Sequence, residues 1–442
     1  MKNYLSIYIH WPFCLSKCPY CDFNSHVVEQ VAHDIWLQSY ISELEYFKTI
    51  ISNKYIRSIF FGGGTPSLMK PYVVEGIIQK IAELAIIDEQ TEITIETNPT
   101  SFESKKFKDF RLAGINRVSV GVQSLIEADL KALGRQHDVK QGIETIEIAR
   151  NLFPQVSFDL IYARTNQTLL DWQNELSRAM QFASGHISLY QLMIEKGTLF
   201  YKLFNEGNLT IPDTDIAADM YEWTNYYLKT QGYNRYEISN YALLGQECKH
   251  NLTYWQYNNY LGIGPGAHSR INAGNNSPLS KLATIEEFLG EAKSSTAAYI
   301  DVREERRRVP TTKLPVGVEL GKRANDTGHT INSIMMWHKP EKWLQAVQEQ
   351  GCGIQSLTSL SRQEIMEEIL MMGLRLEEGI SVDVFQTRVD KQVNEILDMD
   401  KLNDYQKLGL IDYRVDIGKK NYIRLTDKGL MMHSYIVPRL LK

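Results

Sequence analysis

The chain has 442 residues, of which 43% are hydrophobic and 23% charged, a composition typical of globular proteins with two or three domains. Its net charge of −5 gives no bulk electrostatic support for nucleic-acid binding. No stretch reaches the length of apolar sequence that a membrane span needs, and the first residues lack a signal-peptide pattern. We therefore expect a cytoplasmic protein without a transmembrane span.

The first half of the sequence alternates between short β-rich apolar runs and helix-like stretches. The predicted strands are Leu5–His10, Ile56–Phe61, Glu92–Glu96, Arg117–Val122, Val156–Tyr162 and His186–Leu192, and the intervening predicted helices are Asp34–Ile51, Pro71–Leu84, Ser104–Ala113, Glu127–Leu133 with Val139–Asn151, and Leu169–Phe182. Six strand–helix repeats predict an α/β fold, a partial barrel of parallel strands with helical crossovers. In such sheets ligands bind at the carboxyl ends of the strands.

The second half of the sequence has a different organisation. From about Gly207 the alternation weakens, and residues 232–271 are rich in aromatic residues, asparagine and glycine, which suggests a mixed α+β region. Near the end, helical patterns at 361–374, 383–398 and 401–408 precede two short runs, Leu410–Val415 and Tyr422–Leu425, which read as a hairpin, and a last helix. Helices followed by a hairpin predict a winged-helix-like module or a small packing domain. We expect three domains, at 1–230, 231–345 and 346–442.

Three of the five cysteines, Cys14, Cys18 and Cys21, follow the first predicted strand. A structural zinc site would need a second cysteine pair or a histidine pair, and the remaining cysteines are isolated. Three thiolates on one loop can instead hold three irons of a [4Fe–4S] cluster and leave the fourth iron open to a small molecule. A zinc site and a chance group of buried cysteines are the alternatives.

The next strands also end in distinctive residues. The glycine-rich stretch Gly62–Pro66 follows the second strand, where glycine lets a ligand approach the backbone closely. Glu96 ends the third strand, and Gln123, Arg135 and Asp159 follow or lie near the ends of later strands. Each residue alone is explained by a tight turn, a helix cap or a structural hydrogen bond. The glycine stretch, Glu96, Gln123 and Asp159 lie at or near strand ends, which favours a ligand site there, whereas Arg135 lies between two predicted helices.

The cysteine spacing, with Tyr20 just before the last cysteine, resembles the signature of radical S-adenosylmethionine (SAM) enzymes. The stretches "YIHWPFC" and "CDFNSH" narrow this resemblance to the HemN/HemW group. The resemblance implies that SAM chelates the open iron and that an electron donor such as a flavodoxin or ferredoxin reduces the cluster. It also implies that SAM contacts Tyr8, Tyr20, Gly63, Gly64, Thr65, Glu96, Gln123, Arg135 and Asp159.

Two branches of this group differ in function. HemN proteins are oxygen-independent coproporphyrinogen III dehydrogenases, and HemW proteins are haem chaperones that deliver haem to acceptor haemoproteins. The dehydrogenases carry a further cysteine two residues after the cluster motif, where this chain has Phe23. They also carry an N-terminal extension, for which the position of Cys14 leaves no room. The resemblance is therefore greatest to the chaperone branch.

The stretch "HNLTYW", His250–Trp255, resembles the H-N-x-x-Y-W motif of the chaperone branch, which is implicated in haem binding. The resemblance implies that His250 helps hold haem, because a neutral imidazole is a good axial ligand for haem iron. Simple core packing is the alternative for this loop, and Cys248 is a weaker candidate ligand. Residues 274–325 have no counterpart in a typical relative and are interpreted as a surface insertion. "LIYARTNQT" also departs from the usual Gly-Leu-Pro pattern after the Tyr that follows Asp159.

These observations lead us to expect a haem chaperone with a [4Fe–4S] cluster, SAM and haem as its cofactors. The first alternative is a coproporphyrinogen III dehydrogenase, and the second is a cluster-containing interaction protein that does not bind haem. Whether the chain forms a homodimer, and whether it touches a membrane transiently, is left open by the sequence.

Overall fold

The computed structural model describes residues 2–272, 319–320, 331–414 and 421–442. The first 230 residues form β1 (Tyr4–Trp11), β2 (Phe13–Cys14), β3 (His26–Val27), α1 (His33–Tyr46), α2 (Lys48–Ile51), β4 (Tyr55–Gly63), α3 (Pro71–Leu84), β5 (Glu92–Thr97), α4 (Ser101–Ser104), α5 (Phe107–Leu112), β6 (Arg117–Gln123), α6 (Glu127–Ala132), α7 (Val139–Leu152), β7 (Gln155–Tyr162), α8 (Leu169–Ala179), β8 (His186–Gln191), α9 (Leu199–Asn205) and α10 (Thr214–Thr230). All six predicted strands and the helices between them are present, with ends that shift by a few residues.

The remaining described residues form two further groups of elements. The first group is β9 (Asn234–Glu237), β10 (Asn240–Ala242), α11 (Lys249–Trp255), β11 (Tyr260–Ile263), β12 (His268–Asn272), β13 (Glu319–Leu320), β14 (Ile331–Met336), α12 (Pro340–Gln350) and β15 (Ile354–Ser359). The second group is α13 (Arg362–Gly373), β16 (Ile380–Ser381), α14 (Asp383–Val389), α15 (Val393–Ile396), α16 (Met399–Lys407), β17 (Ile411–Arg414), β18 (Tyr422–Leu425), α17 (Asp427–Met431) and α18 (His433–Leu440). The predicted insertion at 274–325 lies outside the described residues, apart from the two residues of β13.

Six parallel strands form the centre of the large sheet, in the order β1-β4-β5-β6-β7-β8. The apolar residues of β1 and β4, such as Ile7, Ile9 and Ile59, are fully buried because helices cover the outer face of the sheet. Parallel order places the carboxyl ends of all six strands at one edge. The predicted partial barrel of six strand–helix units is therefore confirmed.

The sheet continues on both sides of these six strands. On the β8 side it adds β10 and β9, and on the β1 side it adds β11, β12, β14, β15 and β13. Strand β11 is parallel to β1, whereas β12, β14 and β15 are antiparallel neighbours. The large sheet thus runs through β15, beyond residue 346, where we predicted the start of a third domain.

The last group of elements has its own hydrophobic core, which includes Ile365, Leu370 and Phe385. It combines α13 to α18 with a three-stranded antiparallel sheet in the order β16-β18-β17. The predicted single helix at 383–398 is wrong, because Asp390 adopts a left-handed conformation with φ of 53° and ends α14. Within the described part of the chain, we find no helix long and apolar enough to cross a membrane.

Candidate functional site

A cavity of about 420 Å³ opens at the carboxyl ends of the parallel strands. It collects most of the residues that the sequence singled out, although they come from six different segments. Its lining includes Cys14, Cys18, Tyr20, Cys21, Gly63, Gly64, Thr65, Glu96, Gln123, Arg135 and Asp159. The size suits a ligand of the SAM class, because small-molecule sites usually range from about 300 to 1,000 Å³.

The cysteine loop is held at the mouth of this cavity by two short strands. β2 and β3 pair in parallel, so that Cys14 lies opposite Val27, and a turn joins the Cys21 N–H to the Cys18 carbonyl at 3.1 Å. Burial raises the pKa of the Cys14 thiol, and the nearby Cys21 and Cys18 raise it further. Three thiols within electrostatic reach of one another suit a positively charged iron centre that stabilises their thiolates.

Two glycines form the wall beside the cysteines. Gly63 has a φ of 112°, and a Cβ at this position would lie 2.6 Å from the ring of His10. A Cβ on Gly64 would lie 2.7 Å from the Phe13 carbonyl oxygen and 3.0 Å from the Cys14 sulfur. Any larger residue would push into the cysteine loop, which explains physically why this stretch consists of glycine.

Two carboxyl groups lie deeper in the cavity. Burial, together with the neighbouring Asp159, raises the pKa of Glu96 to about 8. Burial also raises the pKa of Asp159 to about 6, although the hydroxyl groups of Ser188 and Ser119 oppose this shift. Titratable groups with such displaced values in a cleft are typical of ligand-binding or catalytic sites.

Gln123 lies at the end of β6 with a φ of 72°, a left-handed conformation that residues other than glycine adopt rarely. The β6–β7 ladder shifts register between Val120 and Gln123, so this turn interrupts the strand at the cavity. Backbone strain of this kind accumulates where a ligand site requires a particular side-chain position.

A chain of hydrogen bonds joins two of the thiols across the cavity wall. Thr65 Oγ1 lies 3.4 Å from the Cys14 sulfur, and Arg135 Nη1 lies 3.5 Å from the Cys18 sulfur. Asn98 bridges the two, because its Nδ2 donates to Thr65 Oγ1 at 3.1 Å and its Oδ1 accepts from Arg135 Nη2 at 2.6 Å. The sequence prediction missed Asn98, although it follows Glu96 by two residues in the same strand-end motif.

The residues of the cavity fit a three-cysteine cluster with bound SAM. The Nε atom of Arg135 is buried and has no hydrogen-bond partner among the described residues, as expected of a donor that binds an anionic ligand group. The described residues contain no group of three or more His, Cys, Asp or Glu side chains that could hold a metal ion by themselves. A four-iron cluster takes one iron per cysteine, so its ligands need not converge on a single point.

Tyr8 is not among the residues that line the cavity. It lies behind the glycine wall, where a Cβ on Gly62 would come within 2.9 Å of its ring. Its hydroxyl group is hydrogen-bonded to His10 Nδ1 at 3.0 Å, and burial raises its pKa. In this conformation Tyr8 supports the cavity wall from inside the barrel, and its predicted contact with SAM stays a prediction.

His250 lies in the closed interior of the barrel, with 1% of its surface exposed. Ser58 Oγ lies 2.8 Å from its Nδ1 and Tyr254 Oη lies 2.8 Å from its Nε2, so both ring nitrogens have partners. Phe60 stacks on the imidazole with a centroid distance of 4.9 Å. Burial lowers the pKa of His250 to about 3, which keeps the ring neutral. The structure does not bring His250 to the cavity, and neither nitrogen is free to bind iron in this conformation.

Helix α11, which carries His250, is fixed at the start of strand β5. The Glu92 carboxylate accepts hydrogen bonds from the N–H groups of Lys249 and His250, the first residues of the helix. The same carboxylate lies 3.3 Å from the Cys248 sulfur and 3.5 Å from Arg117 Nη1. Burial raises the pKa of the Cys248 thiol to about 12. Because this cluster lies at the amino ends of the strands, α11 closes the end of the barrel opposite the cavity.

Comparisons with known proteins bear on this arrangement. Residues 8–178 match the description "Radical SAM superfamily", and residues 360–432 match "HemN C-terminal domain". The zebrafish (Danio rerio) "Radical S-adenosyl methionine domain-containing protein 1, mitochondrial" is 33% identical over 377 residues, which cover 85% of this chain and 74% of the relative. The Escherichia coli "Heme chaperone HemW" is 38% identical over 60% of this chain and 70% of the relative. The chain belongs to the HemN/HemW-like family of radical SAM proteins.

The architecture agrees with this family assignment. The solved structure of coproporphyrinogen III oxidase (HemN) from Escherichia coli matches 99% of this chain and 90% of its own length, with a TM-score of 0.72 and 19% sequence identity. At that identity the likeness establishes the fold, which therefore includes both the radical SAM barrel and the C-terminal HemN-type module. A [4Fe–4S] cluster and SAM are the cofactors that this superfamily implies.

Proposed function

We propose that this chain is a haem chaperone that holds a [4Fe–4S] cluster and SAM in its strand-end cavity and transfers haem to acceptor haemoproteins. The observation that carries the proposal is Phe23, which lines the cavity mouth with 61% of its surface exposed. A dehydrogenase of this family would carry a further cysteine at this position. The printed name of the Escherichia coli relative, "Heme chaperone HemW", supports the same branch.

In the proposed site, Cys14, Cys18 and Cys21 would hold the cluster, and the strand-end cavity beside them would hold SAM. When bound and reduced, the cluster supplies an electron that can cleave the sulfonium bond of SAM. The Gly63 and Gly64 backbone would hold the amino group of SAM, and the Glu96 carboxylate would accept hydrogen bonds from the ribose hydroxyl groups. Arg135 offers its unpartnered Nε–H to an anionic group at the cavity wall. Tyr20, Thr65, Gln123 and Asp159 complete the proposed SAM contacts.

The proposal that His250 ligates haem requires a change at helix α11. One of the two hydrogen bonds of the imidazole, with Ser58 or with Tyr254, must open before a ring nitrogen can reach iron. Local opening of this kind is compatible with a carrier, which has to bind haem reversibly. An acceptor haemoprotein and an electron donor of the flavodoxin or ferredoxin type belong to the same proposal.

Haem titration of the reconstituted protein tests the proposal, with wild type, His250→Ala and Ser58→Ala measured side by side. Both substitutions break the same buried network, but only His250→Ala removes the imidazole, so Ser58→Ala is the matched control. We expect at least tenfold weaker haem binding in His250→Ala and binding at least as tight as in wild type in Ser58→Ala, which removes one of the hydrogen bonds that must open. Equal affinity in wild type and His250→Ala would exclude His250 as the ligand. No haem-dependent absorbance change in wild type would overturn the chaperone proposal.

The second candidate is oxygen-independent coproporphyrinogen III dehydrogenase activity. The extended fold match to HemN is the observation in its favour, although the identity of 19% shows the fold alone. An anaerobic assay with SAM, a reductant and coproporphyrinogen III distinguishes the two candidates. Product formed over many turnovers would place the dehydrogenase above the chaperone.

The cytoplasmic location stays a prediction. The name of the zebrafish relative includes "mitochondrial", whereas that of the Escherichia coli relative names no compartment. Fractionation of the source cells would decide between these locations. The homodimer and the transient membrane contact also remain open predictions, which sedimentation and vesicle flotation would test.

A further inference from the structure

Asn98 occupies a central position between two of the three cluster thiols. Its side chain contacts Thr65, which reaches Cys14, and Arg135, which reaches Cys18. These four hydrogen bonds make a continuous path from one sulfur to the other, and Asn98 is the middle of that path. Among the hydrogen bonds of the described residues, none joins Asn98 directly to a cysteine sulfur.

The direction of each hydrogen bond in this path follows from the chemistry of the groups. A guanidinium group only donates, so the Asn98 atom that faces Arg135 must be the carbonyl oxygen. The amide NH₂ of Asn98 must then face Thr65 and donate to its hydroxyl oxygen. Because that oxygen accepts from Asn98, its single proton is left to point at the Cys14 sulfur.

Other contacts hold Asn98 in this orientation. Its backbone N–H donates to the Glu103 carboxylate at 2.8 Å, and its backbone carbonyl accepts from the Thr100 N–H at 2.9 Å. Burial raises the pKa of Glu103, whose carboxyl group also accepts hydrogen bonds from Ser67 and Thr97. Arg135 has a second anchor, a 2.7 Å hydrogen bond from its Nη2 to the Gly121 carbonyl. These contacts fix the backbone of Asn98 and leave its side-chain amide available for Thr65 and Arg135.

We propose that Asn98 is a positioning residue for the cluster, which fixes the Thr65 hydroxyl as a donor to Cys14 and the Arg135 guanidinium as a donor to Cys18. This inference rests on the cluster-binding part of the proposed function and not on haem binding. Hydrogen bonds to cysteine sulfur stabilise the more negative, reduced state of a cluster and raise its reduction potential. Asn98 therefore helps to set the potential at which the cluster accepts its electron.

The two branches of the path should respond differently to the loss of Asn98. Arg135 keeps its bond to the Gly121 carbonyl, so its contact with Cys18 survives in part. Thr65 loses the amide that orients its hydroxyl group, so the contact with Cys14 depends more strongly on Asn98. Most of the effect of Asn98 is therefore transmitted through Thr65.

The test is redox titration of the reconstituted cluster, followed by electron paramagnetic resonance without SAM, in Asn98→Ala, Thr65→Val and the double variant. We expect the ratio of reduced to oxidised cluster at the wild-type midpoint to fall about tenfold in Asn98→Ala, as for loss of one hydrogen bond to a charged group. For one electron this corresponds to a midpoint about 59 mV more negative. The double variant should shift little beyond Thr65→Val, because the two residues act in series.

Further variants keep the test decisive. In Asn98→Asp the carboxylate accepts hydrogen bonds from both Thr65 and Arg135, which turns the threonine proton away from Cys14. We therefore expect the midpoint potential to become at least as negative as in Asn98→Ala. Thr65→Ser retains a hydroxyl group and should stay near the wild-type midpoint. Asn116→Ala is the matched control, since Asn116 is also bonded at both ends of its amide, to Ile93 and Thr91, away from the cavity.

Iron and sulfide content is measured for every variant. Fully loaded Asn98→Ala and Asn98→Asp proteins with wild-type midpoints would overturn the inference. If the midpoint shift of the double variant equals the sum of the shifts in Asn98→Ala and Thr65→Val, the proposed link through Thr65 is overturned. A wild-type protein that carries the cluster but fails to bind haem would sink the chaperone proposal and leave this inference standing.

Discussion

At the scale of single residues, Glu96 combines burial with few partners. Within the described part of the chain its carboxyl group accepts one hydrogen bond, from the Gly63 N–H at 3.3 Å, and it lies near the acidic Asp159. Because both burial and Asp159 raise the pKa of Glu96 to about 8, the carboxyl group carries a proton at pH 7 when no ligand is bound. SAM carries a positive sulfonium centre, which would favour the ionised carboxylate.

We therefore expect that SAM binding near pH 7 lowers the pKa of Glu96 and releases a proton to the solvent. Replacement of Glu96 by Gln should abolish that release and weaken SAM binding by about tenfold, as for loss of a hydrogen bond to a charged group. Calorimetry in buffers with different ionisation enthalpies measures the number of protons released. The exposed Glu89 on the loop before β5 provides the control Glu89→Gln, which should leave both quantities unchanged. Equal proton release by wild type and Glu96→Gln would contradict this assignment.

Some residues of the cavity were predictable and others were not, for a physical reason. Glu96 and Asp159 lie on parallel strands near the carboxyl ends, and the parallel order of such strands brings their ends together. The role of Asn98 depends on Thr65 and Arg135, which are distant in the sequence and meet only in the folded chain. No pattern of spacing could show that meeting.

At the scale of elements, the position of helix α11 shows what a motif leaves undetermined. "HNLTYW" suggests a histidine beside a porphyrin, but the motif does not say which end of the barrel its helix covers. Glu92 at the start of β5 caps the helix, and so draws His250 into the interior at the closed end. The strand pattern of the first half was predicted well because burial on both faces leaves long apolar runs. The placement of α11 depends instead on contacts with residues distant in the sequence, such as the Glu92 carboxylate and Ser58.

A second buried carboxylate, Glu43 of α1, joins three separate elements. Its oxygens accept hydrogen bonds from the Gly264 N–H after β11, the Gly353 N–H before β15 and the Trp343 indole N–H of α12, all between 2.7 and 3.1 Å. Burial raises the pKa of Glu43 to about 7, although these three donors oppose the shift. The folded protein therefore binds a proton at Glu43 more tightly than the unfolded chain does.

The sign of the resulting pH dependence follows from that difference. Because the folded pKa of about 7 exceeds the ordinary value of 4.5, the contribution of Glu43 to stability is full below pH 4.5. It is lost as the pH rises towards 7, by an amount on the order of 3 kcal/mol. In Glu43→Gln we expect this part of the pH dependence to disappear, with lower stability than wild type at pH 4.5, where Glu43 is protonated, because the new NH₂ group faces an N–H donor.

Thermal unfolding of wild type and Glu43→Gln between pH 4.5 and 8 checks this expectation. Glu45→Gln is the control on the same helix, since Glu45 is exposed and Lys48 and Lys80 hold its pKa below the usual range. The control should retain the wild-type slope in the range from pH 4.5 to 7. A Glu43→Gln variant with the same slope as wild type would show that Glu43 does not titrate in this range.

At the scale of the whole molecule, buried or half-buried ion pairs fix the C-terminal module to the barrel region. Arg270 of β12 donates to the Glu368 carboxylate of α13 at 2.6 Å, and Arg375 donates to the fully buried Glu237 of β9 at 3.1 Å. The guanidinium of Arg375 also lies 4.5 Å from the ring of Trp255 on α11. The module thus packs against the helix that carries His250, which couples the closed end of the barrel to the C-terminal residues.

The predicted insertion at 274–325 divides two strands that are neighbours in the sheet. β12 ends at Asn272 and β14 begins at Ile331, and these two residues are directly paired in an antiparallel ladder. Antiparallel neighbours need only a short turn to connect them, so the ladder does not depend on the 58 residues between its ends. The described residues of this segment, Glu319 and Leu320 of β13, pair with β15 at the edge of the sheet.

Deletion of residues 276–322 should therefore leave a folded protein that binds the cluster. The deletion retains an 11-residue connection between Asn272 and Ile331 (273–275 joined to 323–330), long enough for a hairpin loop. We expect a melting temperature within a few degrees of wild type. The loss of β13 removes two edge pairs, which lowers stability slightly, whereas the shorter loop has a smaller entropic cost of closure, which raises it slightly. Circular dichroism, thermal unfolding and iron content measure these quantities. A variant with residues 276–322 in shuffled order is the control for length, and insoluble deletion protein beside a soluble shuffled variant would show that this segment is part of the folded core.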